Sequence, residues 1–196
     1  MYVGDMGEAY IFLPEGFEEI EAVTVIDVLR RGRVCLASCS LTDNKTVCGS
    51  RGTIVVADCT FKEFKKLYDL YDVEAKHFEP DKPLLIMPGG HGVENYHWCI
   101  GFENLILRQN IDSGYIAAIC AAPTVLDDWG ILSEKNVTCY PTLTLKSTTI
   151  SKNSVEVDGN IITAQGPASS MEFALKILET LKGTKIRDNV AKQLLF

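Results

Sequence analysis

The sequence predicts a doubly wound α/β domain built on a mostly parallel sheet, and three observations predict it. First, short uninterrupted apolar runs of strand length recur along the chain, among them AYIFLP (Ala9 to Pro14) and PLLIMPGG (Pro83 to Gly90). Continuous runs of this kind mark strands buried on both faces. Second, helical patterns separate them, which is the βαβ order of a parallel sheet. Third, the three turns of most unusual composition, PEGFEE, PGGHG and ICAAP, each follow a strand end. Ligands of open α/β sheets sit beyond the carboxyl ends of the strands, so these turns are expected to share one edge.

In chain order, AYIFLP is the first strand, and a helical pattern begins near Phe17 and stops at Gly32. Within it, IEAVTVIDVL (Ile20 to Leu29) is apolar around most of its circumference, so both sides of this helix are expected to be covered. A second subunit or the chain's own C-terminal VAKQLLF would cover the outer side. VCLASC (Val34 to Cys39) reads as the next strand and TIVVAD (Thr53 to Asp58) as another, followed by a polar, Lys-rich segment through Lys66. Tyr71 to Pro83 is charged, aromatic and irregular, and reads as a surface excursion. After PLLIMPGG come a helical stretch around Phe102 to Asp112, the apolar YIAAIC and a brief strand candidate, VTCY. VEVDGNIITAQGP reads as a small β-hairpin, with Asp158-Gly159 supplying the positive φ of a type I′ turn. SSMEFALKILETLKG (Ser169 to Gly183) is a helix with apolar residues at Phe173, Ile177, Leu178 and Leu181, closed by glycine. No repeat, linker or low-complexity tract appears, and residues 1–196 fit a single domain.

Composition narrows the function classes. Hydrophobic residues make up 46% and charged residues 23%, the balance of a soluble globule. A net charge of -7 argues against a nucleic-acid partner, which calls for a basic face. No apolar run approaches the roughly 18 residues that a membrane span needs. The start, MYVGDMGEAYIFLP, lacks the basic region and cleavage site of a signal peptide, so a cytoplasmic location is the default expectation. Seven cysteines without regular spacing include no Cys-x-x-Cys pair, and His77, His91 and His97 have no ligand spacing. Neither a metal nor another cofactor is therefore expected, and most thiols should be reduced and inert.

One thiol is different. In GYIAAICAAPTVL, Cys120 stands where an apolar strand meets a helical pattern. A strand-to-helix turn forces its apex residue into a strained conformation and holds the side chain out over the sheet edge. Small residues are needed two positions either side, and Ala118 and Ala122 supply them. This is the geometry of a nucleophile elbow with cysteine in place of serine. The helix that follows aims free N–H groups at the sulfur, which is expected to lower its pKa. Gly89 and Gly90 let backbone N–H groups converge, as an oxyanion pocket requires, although a plain turn is the commoner use of Pro-Gly-Gly. In GFEEIE, the carboxylates Glu18, Glu19 and Glu21 begin a helix, where acids usually just complement the dipole. One of them reaching the thiol would titrate with it as a pair.

PEGFEEIEAVTVIDVLRRG, IMPGG, IAAICAAPTVL, VTCYPTL and NIITAQGPASSMEFALKILETLKG, in this order, resemble the ThiJ/PfpI superfamily, specifically its parkinsonism-associated, deglycase-like branch. The resemblance runs from about Ala9 to Phe196 and implies a flavodoxin-like fold, related to class I glutamine amidotransferases, and a homodimer. It also implies an oxidation-sensitive cysteine at Cys120, a partner glutamate at Glu21, and an oxyanion pocket from Gly89 and Gly90 with the N–H of Ala121. Two positions depart from the pattern. The protease-like branch carries histidine where this chain has Ala121, and the parkinsonism-associated branch often has histidine where it has Tyr140. No Cys-His dyad carries over, and His91 is expected to be a surface residue.

The resemblance implies two functions for these residues. The first is a glyoxalase or deglycase that uses no cofactor and takes small aldehydes such as methylglyoxal and glyoxal, or their adducts. The second is a redox-responsive, chaperone-like protein in which Cys120 becomes a sulfinate. A cysteine peptidase is disfavoured by the missing histidine.

Overall fold

A computed structural model describes residues 7–74 and 82–196. Its elements are the strands β1 (Ala9–Leu13), β2 (Leu36–Ser40), β3 (Thr46–Cys48), β4 (Ile54–Val56), β5 (Cys59–Thr60), β6 (Leu84–Met87), β7 (Ile116–Ile119), β8 (Val155–Asp158) and β9 (Ile161–Ala164). The helices are α1 (Glu19–Arg31), α2 (Phe61–Glu74), α3 (Asn95–Trp98), α4 (Phe102–Ile111), α5 (Ala122–Asp128), α6 (Ser170–Lys182) and α7 (Thr184–Gln193). Seven strands form one sheet in the order β5-β2-β1-β6-β7-β9-β8, parallel throughout except for the β8–β9 hairpin.

The central strands are apolar on both faces because both faces are covered. Along β1, Ala9, Ile11 and Leu13 join a cluster with α1, α6 and α7, while Tyr10 and Phe12 join the opposite cluster with α2, α4 and α5. Phe12 meets Phe102 and Phe64 edge to face, with ring centroids 4.9 and 5.2 Å apart. Each such buried ring stabilises the fold by about 1.5–3 kcal/mol. β1, β6 and β7 lie side by side and point the same way, so the turns after them share one edge, as expected.

Several sequence expectations are corrected. The segment around Ile54 does not enter the main sheet. β4 pairs antiparallel with β3 as a separate ribbon, and Ile54 and Val56 are exposed there. The Lys-rich segment is the first part of α2, which continues through Glu74, so the expected excursion keeps its helical start and residues 75–81 lie outside the described residues. VTCY is not a strand; only an isolated bridge joins Val137 to Ile150. The β8–β9 turn has positive φ at Gly159 but not at Asn160, which fits a type II′ turn rather than type I′. The chain's own α6 covers α1, whose Ala22, Val25, Val28 and Leu29 are buried, while Ile20 and Val23 remain exposed. The C-terminal segment packs one layer further out, through Val190, Ala191 and Leu194. Among the described residues, no helix is long and apolar enough to cross a membrane.

Candidate active site around Cys120

The β7–α5 junction has the expected elbow geometry. Cys120 has φ +64°, a left-handed conformation that costs a non-glycine residue about 1–3 kcal/mol. The surrounding bonds hold it there: its N–H donates to Ala164 O at 2.9 Å, and its carbonyl accepts the Tyr140 N–H at 2.9 Å. Ala118 and Ala122 are fully buried, as the close packing of an elbow requires. The Cys120 side chain is half-buried.

Glu21 lies on the first turns of α1 and is fully buried. Its Oε2 accepts the Gly89 N–H at 2.7 Å, and the Cys120 thiol is its side-chain neighbour. Oε1 is buried without a well-formed hydrogen bond, which leaves one corner of the carboxyl open to a proton or a substrate hydroxyl. Glu19 turns away instead, accepting the N–H groups of Arg51 and Thr53 at 2.6 and 3.3 Å. Of the three acids, only Glu21 meets the thiol.

Gly89 lets the two groups meet. A side-chain carbon there would stand 2.7 Å from Cys120 Cβ, 2.9 Å from Glu21 Oε2 and 3.0 Å from the Ile119 carbonyl. Its N–H is spent on Glu21, so Gly89 does not supply the expected oxyanion donor. Gly90, at φ +107°, lies against the backbone of Gly16 to Glu18 and aims its N–H at the sulfur, as does Ala121. The two backbone N–H groups that face the sulfur are therefore those of Gly90 and Ala121.

The electrostatics differ from the expected acidic thiol. Burial pushes Glu21 up to about 7, against the Gly89 hydrogen bond. Burial, followed by the charge of Glu21, pushes Cys120 up to about 12, outweighing the amides of Ala121 and Gly90. These values belong to the pair. The first proton leaves it near pH 7. The second is held because two adjacent anions repel in a poorly solvated site. Between those limits one negative charge and one proton are shared by sulfur and carboxyl.

Other residues shape the surroundings. A carbon on Gly166 would stand 3.3 Å from the Tyr140 ring and 3.8 Å from Cys120 Sγ, so Tyr140 and Gly166 form a wall beside the thiol. Buried Tyr96 reaches the carbonyls of both Phe12 and Pro88 with its hydroxyl, at 3.1 and 2.8 Å, and ties the ends of β1 and β6 together. Sequence reasoning missed Tyr96 and Gly166, since neither sits in a motif that signals its role. His91 is exposed, and its backbone N–H donates to Ser50 Oγ at 3.0 Å. Among the described residues, no group of acids, histidines and cysteines could hold a metal ion.

A family model described as the DJ-1/PfpI family matches residues 7–180. Protein DJ-1alpha of Drosophila melanogaster is 37% identical over 193 residues, covering 96% of this chain and 83% of that protein. The glutathione-independent glyoxalase DJR-1.2 of Caenorhabditis elegans is 35% identical over 185 residues, covering 92% of this chain and 91% of its own length. Among solved structures, oxidized Toxoplasma gondii DJ-1 superposes with a TM-score of 0.83 at 29% identity, covering 97% of this chain and 99% of that one.

Proposed function

Because the chain belongs to the DJ-1/PfpI family, we propose that it is a cysteine-dependent enzyme of the glyoxalase or deglycase type, acting on methylglyoxal, glyoxal or their adducts. The observation that carries this reading is the meeting of Cys120, at φ +64°, with the buried carboxyl of Glu21 across a glycine that leaves room for nothing else. The similarity to a glyoxalase at 35% identity supports it.

For methylglyoxal, the singly charged pair delivers the thiolate, and sulfur bonds to the aldehyde carbon while the carbonyl π electrons move to oxygen. The N–H groups of Gly90 and Ala121, which face the sulfur in the free protein, then hold that oxygen. Glu21, which then carries the pair's proton, passes it to the substrate's ketone oxygen. The freed carboxylate takes the hydrogen from the former aldehyde carbon as a proton and returns it to the neighbouring carbon. The substrate is thereby oxidised at one carbon and reduced at the next, giving a lactate thioester. Water cleaves the thioester to lactate and restores the thiol, so the overall change is addition of one water. The exposed Ile20 and Val23 on α1 carry the companion proposal of a homodimer, whose contact would cover them.

Lactate formation by wild type, Cys120→Ser and Glu21→Gln tests the reading. Cys120→Ser should fall to the uncatalysed background, and Glu21→Gln should lose on the order of 100-fold. If wild type makes no more lactate than Cys120→Ser, the enzymatic reading is lost. A second reading then stands on the same sulfur: the amides and Oε1 of Glu21 could receive the oxygens of a sulfinate, and the oxidized Toxoplasma relative has the same fold.

A further inference from the structure

Far along the sheet from Cys120, two other cysteines face each other. Parallel pairing of β2 with β5 places Cys39 directly opposite Cys59. Neighbouring strands hold facing Cα atoms about 4.8 Å apart, inside the roughly 4.4–6.8 Å that a disulfide spans. Both side chains turn to the same face of the sheet, Cys39 inside the aromatic cluster of α2 and α4 and Cys59 packed against it. Cys39 is buried and Cys59 is partly exposed, and both thiols are free. β5 is an edge strand of two residues, so the small approach needed to join the sulfurs moves little else.

We propose that Cys39 and Cys59 form a second redox site, a dithiol at the sheet edge that peroxides convert to a disulfide. Partly exposed Cys59 reacts first. Its thiolate attacks one peroxide oxygen, an S–O bond forms as the O–O bond breaks, and the other oxygen leaves as hydroxide or alkoxide. Cys39 sulfur then attacks the Cys59 sulfenic acid and expels its oxygen, which leaves as water with the Cys39 proton. Two thiols lose two hydrogens in all, and one peroxide is reduced. The division of labour matches the surroundings: a hydrogen bond from Cys39 lowers the Cys59 thiol, whereas burial pushes Cys39 up and keeps it a protonated resolving partner. Asp58 and Glu63 oppose the ionisation of Cys59, and Lys45 favours it. The bond closes a loop that carries the β3–β4 ribbon and Ser50, whose hydroxyl donates to Gly16 O at 2.5 Å beside the Cys120 site.

The test treats the full-length protein with hydrogen peroxide, blocks remaining thiols, and digests it with trypsin without reduction for mass spectrometry. The expected product joins Val34–Lys45 to Gly52–Lys62, two hydrogens lighter than the separate peptides. Fragment ions between Cys35 and Cys39 assign the bond to Cys39. The product should vanish with dithiothreitol, be absent from Cys59→Ser, and form undiminished in Cys120→Ser. The proposal is overturned if Cys59 gains only oxygen while Cys39 stays a free thiol, if either joins Cys35 or Cys99 instead, or if the pair stays reduced while Cys120 is fully oxidised.

Discussion

Cys120 and Cys59 are both partly exposed thiols at the margins of one sheet, yet they are governed by different physics. Cys59 is an edge residue whose state depends chiefly on one neighbour, the facing Cys39, which lowers its pKa. Cys120 sits at the centre, where four groups converge: the start of α1, the Gly89-Gly90 turn, the elbow itself and the wall that Tyr140 and Gly166 form from two further segments. Its thiol is pushed up to about 12, not down. If Cys120 is the nucleophile we propose, the comparison teaches that thiol acidity alone does not mark it. What marks it is a strained backbone fixed by rigid strands, with a proton acceptor and unspent amides already in place.

The strongest way to break the centre without touching the edge is Gly89→Ala. The added carbon would overlap Cys120 Cβ and Glu21 Oε2 at once, and neither can retreat, because one is held by the elbow and the other by burial in α1. Lactate formation should fall on the order of 100-fold or more through misplacement of the reacting pair. Peroxide-driven joining of Cys39 to Cys59 should be unaffected. Wild-type turnover in Gly89→Ala would show that the contact between thiol and carboxyl is not what the reaction uses.

That contrast also separates what was legible in the sequence from what was not. The central strands and their helices could be read because residues such as Ala9 to Leu13 are apolar at every position, a pattern that only burial on both faces explains. Cys120 could be read because an elbow needs small residues at fixed offsets, which is a local requirement. The separate β3–β4 ribbon could not be read, since Ile54 and Val56 have strand-like composition but are spent on an exposed face. Nor could the assignment of the Gly89 N–H to Glu21, which depends on a contact across 68 positions of chain. The packing of α6 on the buried side of α1 could not be read either, because α6 is amphipathic in its own right and carries no sign of which helix it will meet.

A smaller effect sharpens the comparison through stability. In the folded chain the Glu21–Cys120 pair keeps its first proton up to about pH 7, whereas the exposed carboxyl of an unfolded chain releases it near 4.5. The folded state therefore binds the proton more tightly. The associated stability is fully present below pH 4.5 and is lost as pH rises through 7, by about 3 kcal/mol in total. Glu21→Gln keeps an acceptor for the Gly89 N–H but has nothing to ionise. Urea unfolding should show the two proteins alike at pH 4.5 and the variant more stable by up to about 3 kcal/mol at pH 8. Equal stability at both pH values would mean that burial does not strain this carboxylate. Cys59→Ser, at the edge, should leave that pH dependence unchanged.

The mildest change tests the rim of the central site, where this chain has Tyr140 in place of the expected histidine. The Tyr140 backbone is tied to the Cys120 carbonyl, so its ring follows the elbow, and about two-fifths of the residue is exposed, at 42%. Gly166 leaves room for that ring and no more, because a carbon there would press on Tyr140 at 3.3 Å. The phenol can thus meet a substrate oxygen at the mouth of the site without taking part in the proton transfers beneath it. Tyr140→Phe keeps the wall and removes only this hydrogen bond, worth about 0.5–1.5 kcal/mol. KM for methylglyoxal should rise roughly two- to tenfold while kcat stays within about twofold, the signature of lost substrate binding. A fall in kcat with KM unchanged would instead put Tyr140 in the chemistry, and the central site would then need a fifth converging group.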